Sequence, residues 1–167
     1  MTTDIQDQAA VEKKLWSEIE DSRFGMLAPM SPPGEHFQPM TAFAEPEAGK
    51  IWFYTRSDSD VAVAAQDGAP AMFVFMSKDR KLQASIKGEL RATLDALHRD
   101  KFWNSVVSAW FPKGKDDPHL TMLRFDCGEA QVWLSDAGPV KFGLEIAKAN
   151  LTGSPPDVGG QATLKLG

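Results

Sequence analysis

An aromatic run that stops abruptly in small polar residues constrains the fold of this chain more than any other feature. Ile51 to Thr55 is aromatic and β-favouring, Arg56 to Ser59 is polar, and the apolar segment Val61 to Ala65 follows. The pattern predicts a strand that ends at Thr55 and a helix that starts near Ser59. Hydroxyls and the free N–H groups of a helix start suit an anionic ligand. A buried strand followed by an ordinary serine cap explains the same residues, and both interpretations stay open.

Short apolar runs separated by turn residues extend through the rest of the chain. Few helical patterns interrupt them, and no regular helical crossovers separate them, which predicts a small barrel with helical decoration rather than a doubly wound parallel sheet. The expected fold class is mainly β with helices (α+β), in a single domain, 1–167. Within it we place an N-terminal helix at about 1–22, the barrel with inserted helices at 24–135, and a C-terminal helix and tail at 136–167.

Two neighbouring strands carry more detailed expectations. Met72 to Met76 is continuously apolar, which is typical of a strand buried on both faces. Between Leu82 and Lys87 apolar residues alternate with polar ones, so Gln83 and Ser85 are expected on a face that meets water or a ligand. Gly88 inside this strand indicates a bulge or a close backbone approach.

The second half of the chain gives three further predictions. Asp95 can cap one helix that continues to the stop at Pro112. Gly128 divides the alternating segments Thr121–Cys127 and Glu129–Ser135, which we interpret as a final strand pair. The glycine- and proline-rich segment Thr152–Gly160 is expected to be a loop or mobile tail.

Composition narrows the class of protein. The net charge of −5 argues against a nucleic acid or an anionic membrane as the main partner. No apolar run approaches the length of a membrane span, and the N-terminus lacks the features of a secretion signal. Cys127 is the single cysteine, excludes an intrachain disulfide, and is expected to be a small buried hydrophobe. We expect a soluble, cytoplasmic protein.

No catalytic or metal-binding constellation stands out. His36, His98 and His119 are scattered over a turn, a helix and a loop, without metal-ligand spacing, and are expected to be surface residues. The chain contains neither a GxGxxG motif nor a complete Walker motif, so Lys115 after Gly114 has no phosphate loop around it. We identify no acid or base for catalysis.

Five motifs stand in order along residues 10–135, and the nine-residue string at 110–118 is the most specific of them. Together they resemble the general stress protein branch of the pyridoxamine 5′-phosphate oxidase-like flavoproteins. The resemblance implies a split β-barrel of the FMN-binding type that forms a homodimer, with FMN held at the subunit interface. The motifs are Phe24–Leu27, Gln38–Thr41, Ile51–Thr55 with Ser59, Ile86–Leu90 and Trp110–Pro118.

A flavin would need flat apolar walls for its ring and polar side chains to fix the ring and the ribityl chain. By resemblance, Gln83 matches a glutamine that related oxidases use across the dimer interface, and Thr55 matches a hydroxyl at the end of the aromatic strand. Core packing explains some of the apolar candidates equally well. The candidate cofactor-binding residues are Met40, Thr41, Phe53, Tyr54, Thr55, Ser59, Gln83, Ser85, Trp110 and Phe111.

The phosphate end departs from the family pattern. Relatives commonly carry an arginine at the position of Gln38 and a basic pair at Asp60–Val61, so three expected positive charges are missing. An Arg–phosphate hydrogen bond contributes about 1.5–3 kcal/mol, so replacements are needed for strong binding. Candidate replacements on nearby turns are Arg56, Lys78, Arg80 and Lys81.

Three functions therefore compete. The first is a dimeric FMN-binding flavoprotein whose redox chemistry, if any, comes from the flavin. The second is a split-barrel ligand-binding or interaction protein that has lost strong FMN binding, which the missing cations favour. The third is a barrel for heme or a deazaflavin, ranked last because no histidine is expected at an inward-facing strand position.

Overall fold

A single curled antiparallel sheet forms the body of the protein. The computed structural model describes residues 3–4, 7–31, 33, 35–135, 139–157 and 159–167. None of the helices in these ranges is long and apolar enough to cross a membrane. The strands are β1 (Thr3–Asp4), β2 (Phe24–Pro29), β3 (Gln38–Thr41), β4 (Phe43–Glu45), β5 (Lys50–Arg56), β6 (Ala69–Met76), β7 (Leu82–Ala92), β8 (Leu120–Ser135) and β9 (Gly159–Lys165); the α-helices are α1 (Gln8–Ser22), α2 (Asp60–Ala64), α3 (Ala96–Phe102), α4 (Ser105–Trp110) and α5 (Pro139–Thr152).

The strand order curls the sheet around the main core of the protein. Along the main path the order is β1-β9-β8-β7-β6-β2-β3, while β5 pairs with β8 and with β4. All of these pairings are antiparallel except the short parallel pairing of β1 with β9. Helix α1 covers the core through Val11, Leu15, Trp16 and Ile19, which are all buried. The expected α+β architecture with a barrel-type sheet is confirmed.

Strand β8 corrects the prediction of a strand pair around Gly128. It runs without a turn from Leu120 to Ser135 and pairs with β7 from Leu123 to Leu134. On its other edge the partner changes at Gly128: the Cys127 N–H donates to the Gly49 carbonyl, and the Leu166 N–H donates to the Gly128 carbonyl. Gly128 therefore marks a change of partner strand, not a hairpin.

Both ends of the chain differ from the prediction. The N-terminal helix expected at about 1–22 begins at Gln8, where Asp7 caps it by accepting a hydrogen bond from the Ala10 N–H at 3.0 Å. The expected C-terminal tail contains strand β9, which pairs with β8 in register from Ser135–Gly159 to Glu129–Lys165. Ala162, Leu164 and Leu166 are buried, so this strand completes the core. The alternation of Ala162, Leu164 and Leu166 is too short to predict a strand beside a glycine- and proline-rich segment.

The helix predicted from Asp95 to Pro112 is two helices. Asp95 caps α3 as expected, since its carboxylate accepts from the His98 N–H at 2.9 Å. The helix then breaks at Trp103 and Asn104, and the Asn104 side chain caps α4 by accepting from the Val107 N–H at 2.9 Å. Asparagine favours a helix start over a helix interior, which accounts for the break.

Candidate functional site

An open apolar groove lies on the outer face of the sheet, away from the core. Residues that pair directly across neighbouring strands have their side chains on the same face of the sheet. Met26 pairs with Val74, and Val74 pairs with Ser85, so these three side chains share the outer face. Beside them, Met76 pairs with Gln83, which pairs with Trp133. The groove has a volume of about 360 Å³ and is lined mainly by Phe24, Met26, Val74, Met76, Gln83, Ser85 and Trp133.

This groove corrects the prediction that β6 is buried on both faces. Phe73 and Phe75 point into the core and are 0% and 2% exposed, whereas Val74 and Met76 are 39% and 52% exposed. The strand is continuously apolar because one face builds the core and the other builds the groove. Apolar side chains from several strands that share an exposed face are typical of a ligand or partner surface.

Two predicted polar residues lie in the groove. Gln83 and Ser85 are half-buried on β7, as the alternation predicted, and the Gln83 Nε2 donates to the Arg80 carbonyl. Thr41 is exposed on the edge strand β3 and pairs with Phe24 of the groove. The register break between Ile86 and Gly88 confirms the predicted irregularity in β7.

Thr55 and Ser59 form a second polar site, at the end of β5. Thr55 is buried, and its hydroxyl donates to the Ser59 Oγ at 3.1 Å. The same Ser59 oxygen accepts from the Ala62 N–H at 3.3 Å, so it caps α2 as the simpler interpretation predicted. Because this oxygen accepts in both contacts, neither of them uses the Ser59 hydroxyl proton.

The remaining candidates lie in aromatic or core positions. Met40 and Phe53 are buried in the main core, at 6% and 0% exposure. Tyr54 donates its hydroxyl to the Arg99 carbonyl at 2.5 Å, and burial raises the pKa of Tyr54 to about 12. Phe111 is buried in the same aromatic cluster as Tyr54, whereas Trp110 is 76% exposed at the end of α4.

Thr55 and Gln83 lie beside opposite ends of β8. Thr55 pairs with Thr121 at the start of β8, whereas Gln83 pairs with Trp133 near its other end. The twelve residues between these positions have a contour length of about 40 Å, which is an upper limit to the distance in a curled sheet. Neither Thr55 nor Ser59 lines the groove that contains Gln83, so the two polar sites that the resemblance assigns to one flavin are separate in the described chain.

The nearby cations are unequal candidates for a phosphate. Arg56 is bound to Asp58 through two hydrogen bonds of 2.9 and 3.0 Å, and these bonds lower the pKa of the Asp58 carboxyl. Lys78 pairs with Asp21 at 3.2 Å. Val61, at a position where relatives carry a basic residue, is buried in the core, while Asp60 is exposed.

Arg80 and Lys81 lie on the turn that leads into Gln83. Arg80 has a left-handed backbone conformation with φ of 63°, and its carbonyl accepts from Gln83. No ion pair involves Arg80 or Lys81 within the described ranges. The Lys81 N–H donates to the Asp79 carboxylate, and this bond, together with the hydrogen bond from Ser77 and the nearby Lys81 charge, lowers the pKa of Asp79.

His98 is the one histidine that departs from the surface prediction. Its ring stacks on Trp52 with centroids 4.1 Å apart, and its Nε2 lies 2.8 Å from the Glu45 carboxylate. Burial alone would raise the pKa of Glu45, but hydrogen bonds from Lys101 and His98 outweigh it and hold this pKa below its ordinary value. This cluster attaches α3 to β4 and β5. Within the described residues no group of His, Cys, Asp and Glu side chains is arranged to hold a metal ion.

The architecture and the family match identify the class of protein. Residues 10–157 match the family described as pyridoxamine 5′-phosphate oxidase like. A curled antiparallel sheet with five helices is the split-barrel fold, and the chain belongs to the pyridoxamine 5′-phosphate oxidase-like family. The family resemblance of the sequence motifs is thereby confirmed.

Solved structures extend this assignment. A protein from Jannaschia sp. CCS1 described as general stress protein 26 is 34% identical, with a TM-score of 0.78 over 94% of this chain and 99% of that one. The general stress FMN/FAD binding protein of Xanthomonas citri is 36% identical, with a TM-score of 0.72 over 78% and 92%. An FMN binding protein of Nostoc punctiforme PCC 73102 is 15% identical, with a TM-score of 0.56 over 80% and 86%, and supports the fold alone. No curated protein sequence matches this chain.

Proposed function

We propose that this protein is an FMN-binding flavoprotein that functions as a homodimer, with each flavin site built from two copies of the chain. The observation that carries the proposal is the separation of Thr55 and Gln83 along β8. We expect a ligand that uses both residues to take them from different copies. An isologous dimer would form two such sites related by its two-fold axis.

The groove is suited to the flavin ring. Aromatic and thioether side chains supply flat apolar walls, and the amide of Gln83 and the hydroxyl of Ser85 supply hydrogen bonds at one edge. Its volume of about 360 Å³ lies in the range of cofactor and ligand pockets. Trp133 and Phe24, absent from the sequence candidates, are the aromatic residues of this wall.

The phosphate end is assigned to Thr55 and Ser59. The Ser59 hydroxyl proton, which neither of its two contacts uses, can donate to an anion, and the exposed Arg56 lies three residues away in the sequence. Because Asp58 holds Arg56 in both of its hydrogen bonds, we expect weaker phosphate binding than a free arginine would give. This is where the fit to FMN is poorest.

In this proposal the protein binds and orients the cofactor. A bound flavin supplies hydride and electron transfer, while the apolar groove excludes water from the ring and Gln83 and Ser85 fix its polar edge. Cys127 is buried and its pKa is raised to about 12 by burial, so it takes no part as a nucleophile. The competing function is a barrel that binds another flat apolar ligand, and the Arg56–Asp58 pair is the observation that favours it.

An absorbance scan of the purified protein, followed by titration with FMN, tests the proposal. Flavin absorption bands, or quenching of flavin fluorescence on titration, are expected. Gln83→Leu should weaken FMN binding by about tenfold, because it removes the hydrogen-bonding amide. Gln66→Leu, on the exposed turn that follows α2, serves as the matched control and should leave binding unchanged. Absence of binding by the wild-type chain would reject the flavin and favour the competing ligand.

A further inference from the structure

His119 lies beside the turn that carries the proposed phosphate site. The Ser57 N–H donates to the His119 carbonyl at 2.8 Å, so the pairing of β5 with β8 continues one residue beyond Arg56 and Leu120. Ser57 stands two residues before Ser59 in the sequence. The start of β8 therefore brings a histidine to the phosphate end of β5, although the two segments are far apart in the sequence.

The side chain of His119 acts on the same turn. Asp58 immediately precedes Ser59, and the pKa of the Asp58 carboxyl is lowered, mainly by the hydrogen bond from Arg56 and in part by a positive charge on His119. Exposed charges act on one another only over short distances, because salt screens them beyond roughly 8 Å. The His119 ring therefore lies close to the segment that contains Ser59.

Asp117 holds the backbone of His119 in place. Its carboxylate is 8% exposed and accepts hydrogen bonds from the His119 N–H at 2.9 Å and from the Lys113 N–H at 3.3 Å. The bond from His119 is the main cause of the lowered pKa of Asp117. The loop that leads into β8 is thus ordered in the chain without a ligand, which reduces the entropic cost of binding through His119.

The His119 ring has no competing partner among the described residues. His119 is exposed, and the side-chain hydrogen bonds and ion pairs of the described ranges include none to its ring. Arg56, by contrast, uses two of its donors on Asp58. Of these two basic residues, His119 keeps its whole hydrogen-bonding capacity for a ligand.

The other charges around this site offset one another. The pKa of Arg56 is raised, mainly by the hydrogen bond to Asp58 and in part by the charge of Asp117. Lys113 lies close enough to Asp117 for its charge to act on that carboxyl as well. Histidine changes charge near physiological pH, so a phosphate bound beside His119 can draw a proton onto the ring. His119 is therefore the member of this group whose charge can rise to meet an anion.

We propose that His119 binds the phosphate monoester of the cofactor together with Ser59, and that it supplies part of the positive charge that this site otherwise lacks. The inference rests on the proposed function and adds a specificity-determining residue to it. Ser59 donates to the phosphate through its hydroxyl and His119 through a ring N–H. Because hydrogen bonds between charged groups are stronger than neutral ones, His119 favours FMN over riboflavin, which has the same ring but no phosphate.

Fluorescence titrations with FMN and with riboflavin test the inference. His119→Ala should weaken FMN binding by about tenfold and leave riboflavin binding unchanged, because His119 is assigned to the phosphate alone. His119→Arg, which carries a permanent charge, should bind FMN at least as tightly as wild type. His36→Ala is the matched control, since this exposed histidine precedes β3, and it should change neither affinity.

Two results of these titrations would overturn the inference: FMN binding by His119→Ala that is as tight as in wild type, or an equal loss of FMN and riboflavin. In the first case the proposed flavin function stands and only the role of His119 is wrong. In the second case His119 supports the fold or the ring site and does not recognise the phosphate.

If the wild-type chain binds neither flavin, inorganic phosphate is the probe. The imidazole resonances are followed by NMR, and the resonance that is absent from the spectrum of His119→Ala is assigned to His119. A shift of this resonance on addition of phosphate, with that of His36 unmoved, would support the anion site and reject the flavin assignment alone. A His119 resonance that phosphate leaves unmoved would reject both.

Discussion

Arg56 holds Asp58 in a two-pronged ion pair, with its Nε and one terminal nitrogen 2.9 and 3.0 Å from the two carboxylate oxygens. Both residues are exposed: Arg56 is the last residue of β5, and Asp58 lies two residues later, next to the proposed phosphate site at Ser59. Arg56 is the cation nearest to that site in the sequence, and the Asp58 carboxylate uses two of its five N–H donors. A phosphate bound by the remaining donors would lie close to the Asp58 charge, which opposes its binding.

Asp58→Asn should tighten FMN binding severalfold, because it releases the Arg56 guanidinium for the phosphate. A flavin fluorescence titration at low ionic strength measures the effect, which should shrink as salt screens the charges. Asp67→Asn, also on an exposed turn, is the control for a simple change in net charge. If Asp58→Asn binds FMN no more tightly than wild type, the phosphate lies elsewhere. The same conclusion follows if the tighter binding persists when Arg56→Ala is added.

Glu45→Gln should lower the free energy of unfolding at neutral pH by about 1.5–3 kcal/mol, because the hydrogen bonds from His98 and Lys101 lose their charged acceptor. The Glu45 side chain is only 11% exposed, so solvent screens these bonds little. Since the pKa of Glu45 is below its ordinary value of 4.5, its contribution is full above that value and is lost as the pH falls through the folded-state pKa.

Denaturant unfolding of both proteins across this pH range checks the sign. The stability difference between wild type and Glu45→Gln should be largest near neutrality and should vanish in acid. Glu47→Gln, on the exposed turn beside Glu45, provides the comparison for a surface carboxylate. A difference that grows on acidification would mean that the cluster does not stabilise the ionised carboxylate.

Gly88→Ala should destabilise the fold by about 2 kcal/mol or more. An added Cβ there would collide with the Asp126 carbonyl oxygen and the Phe125 ring, both part of the buried strand β8. Gly128→Ala is the graded comparison, since its Cβ would meet only the Lys87 carbonyl oxygen, at 3.3 Å. In thermal unfolding, Gly88→Ala should have the lower melting temperature of the two variants. Equal melting temperatures would show that the backbone around the register shift at Gly88 adjusts easily to a Cβ.

Cys127 should resist thiol reagents in the folded protein at mildly alkaline pH. The residue is 4% exposed, and burial raises the pKa of its thiol to about 12, so the reactive thiolate is scarce and shielded. A chromogenic thiol assay should report reaction only after denaturant is added. Rapid modification of the native protein would mean that β8 opens locally.

Local chemistry made several elements predictable. The strand Ile51–Thr55, the caps at Ser59 and Asp95, and the irregularity at Gly88 each depend on residues close together in sequence. The polar face with Gln83 and Ser85 followed from alternation alone.

Long-range pairing set the features that the sequence could not reveal. The groove brings together β2, β6, β7 and β8, and its lining depends on their mutual register. In the sequence, Trp133 is one residue of an alternating segment, and nothing there marks it as part of a groove. Only its cross-strand neighbours, Gln83 and then Met76, place it there. In the same way, Gly128 suggests a turn until β5 and β9 are seen to share one edge of β8.

The mixing of two single variants tests most directly whether the site is shared between subunits. Thr55→Val and Gln83→Leu should each weaken FMN binding on their own, by removing one hydrogen-bonding group. The variants are then denatured together, refolded as a mixture and titrated with FMN. If Thr55 and Gln83 come from different copies, each mixed dimer contains one intact site and one site with both defects.

Random pairing makes about half of the dimers mixed, so about one quarter of all sites should regain wild-type affinity. Refolding each variant alone provides the control and should restore no such fraction. Recovery of that tight fraction is the predicted result. A mixture in which every site binds as weakly as the separate variants would contradict the shared site.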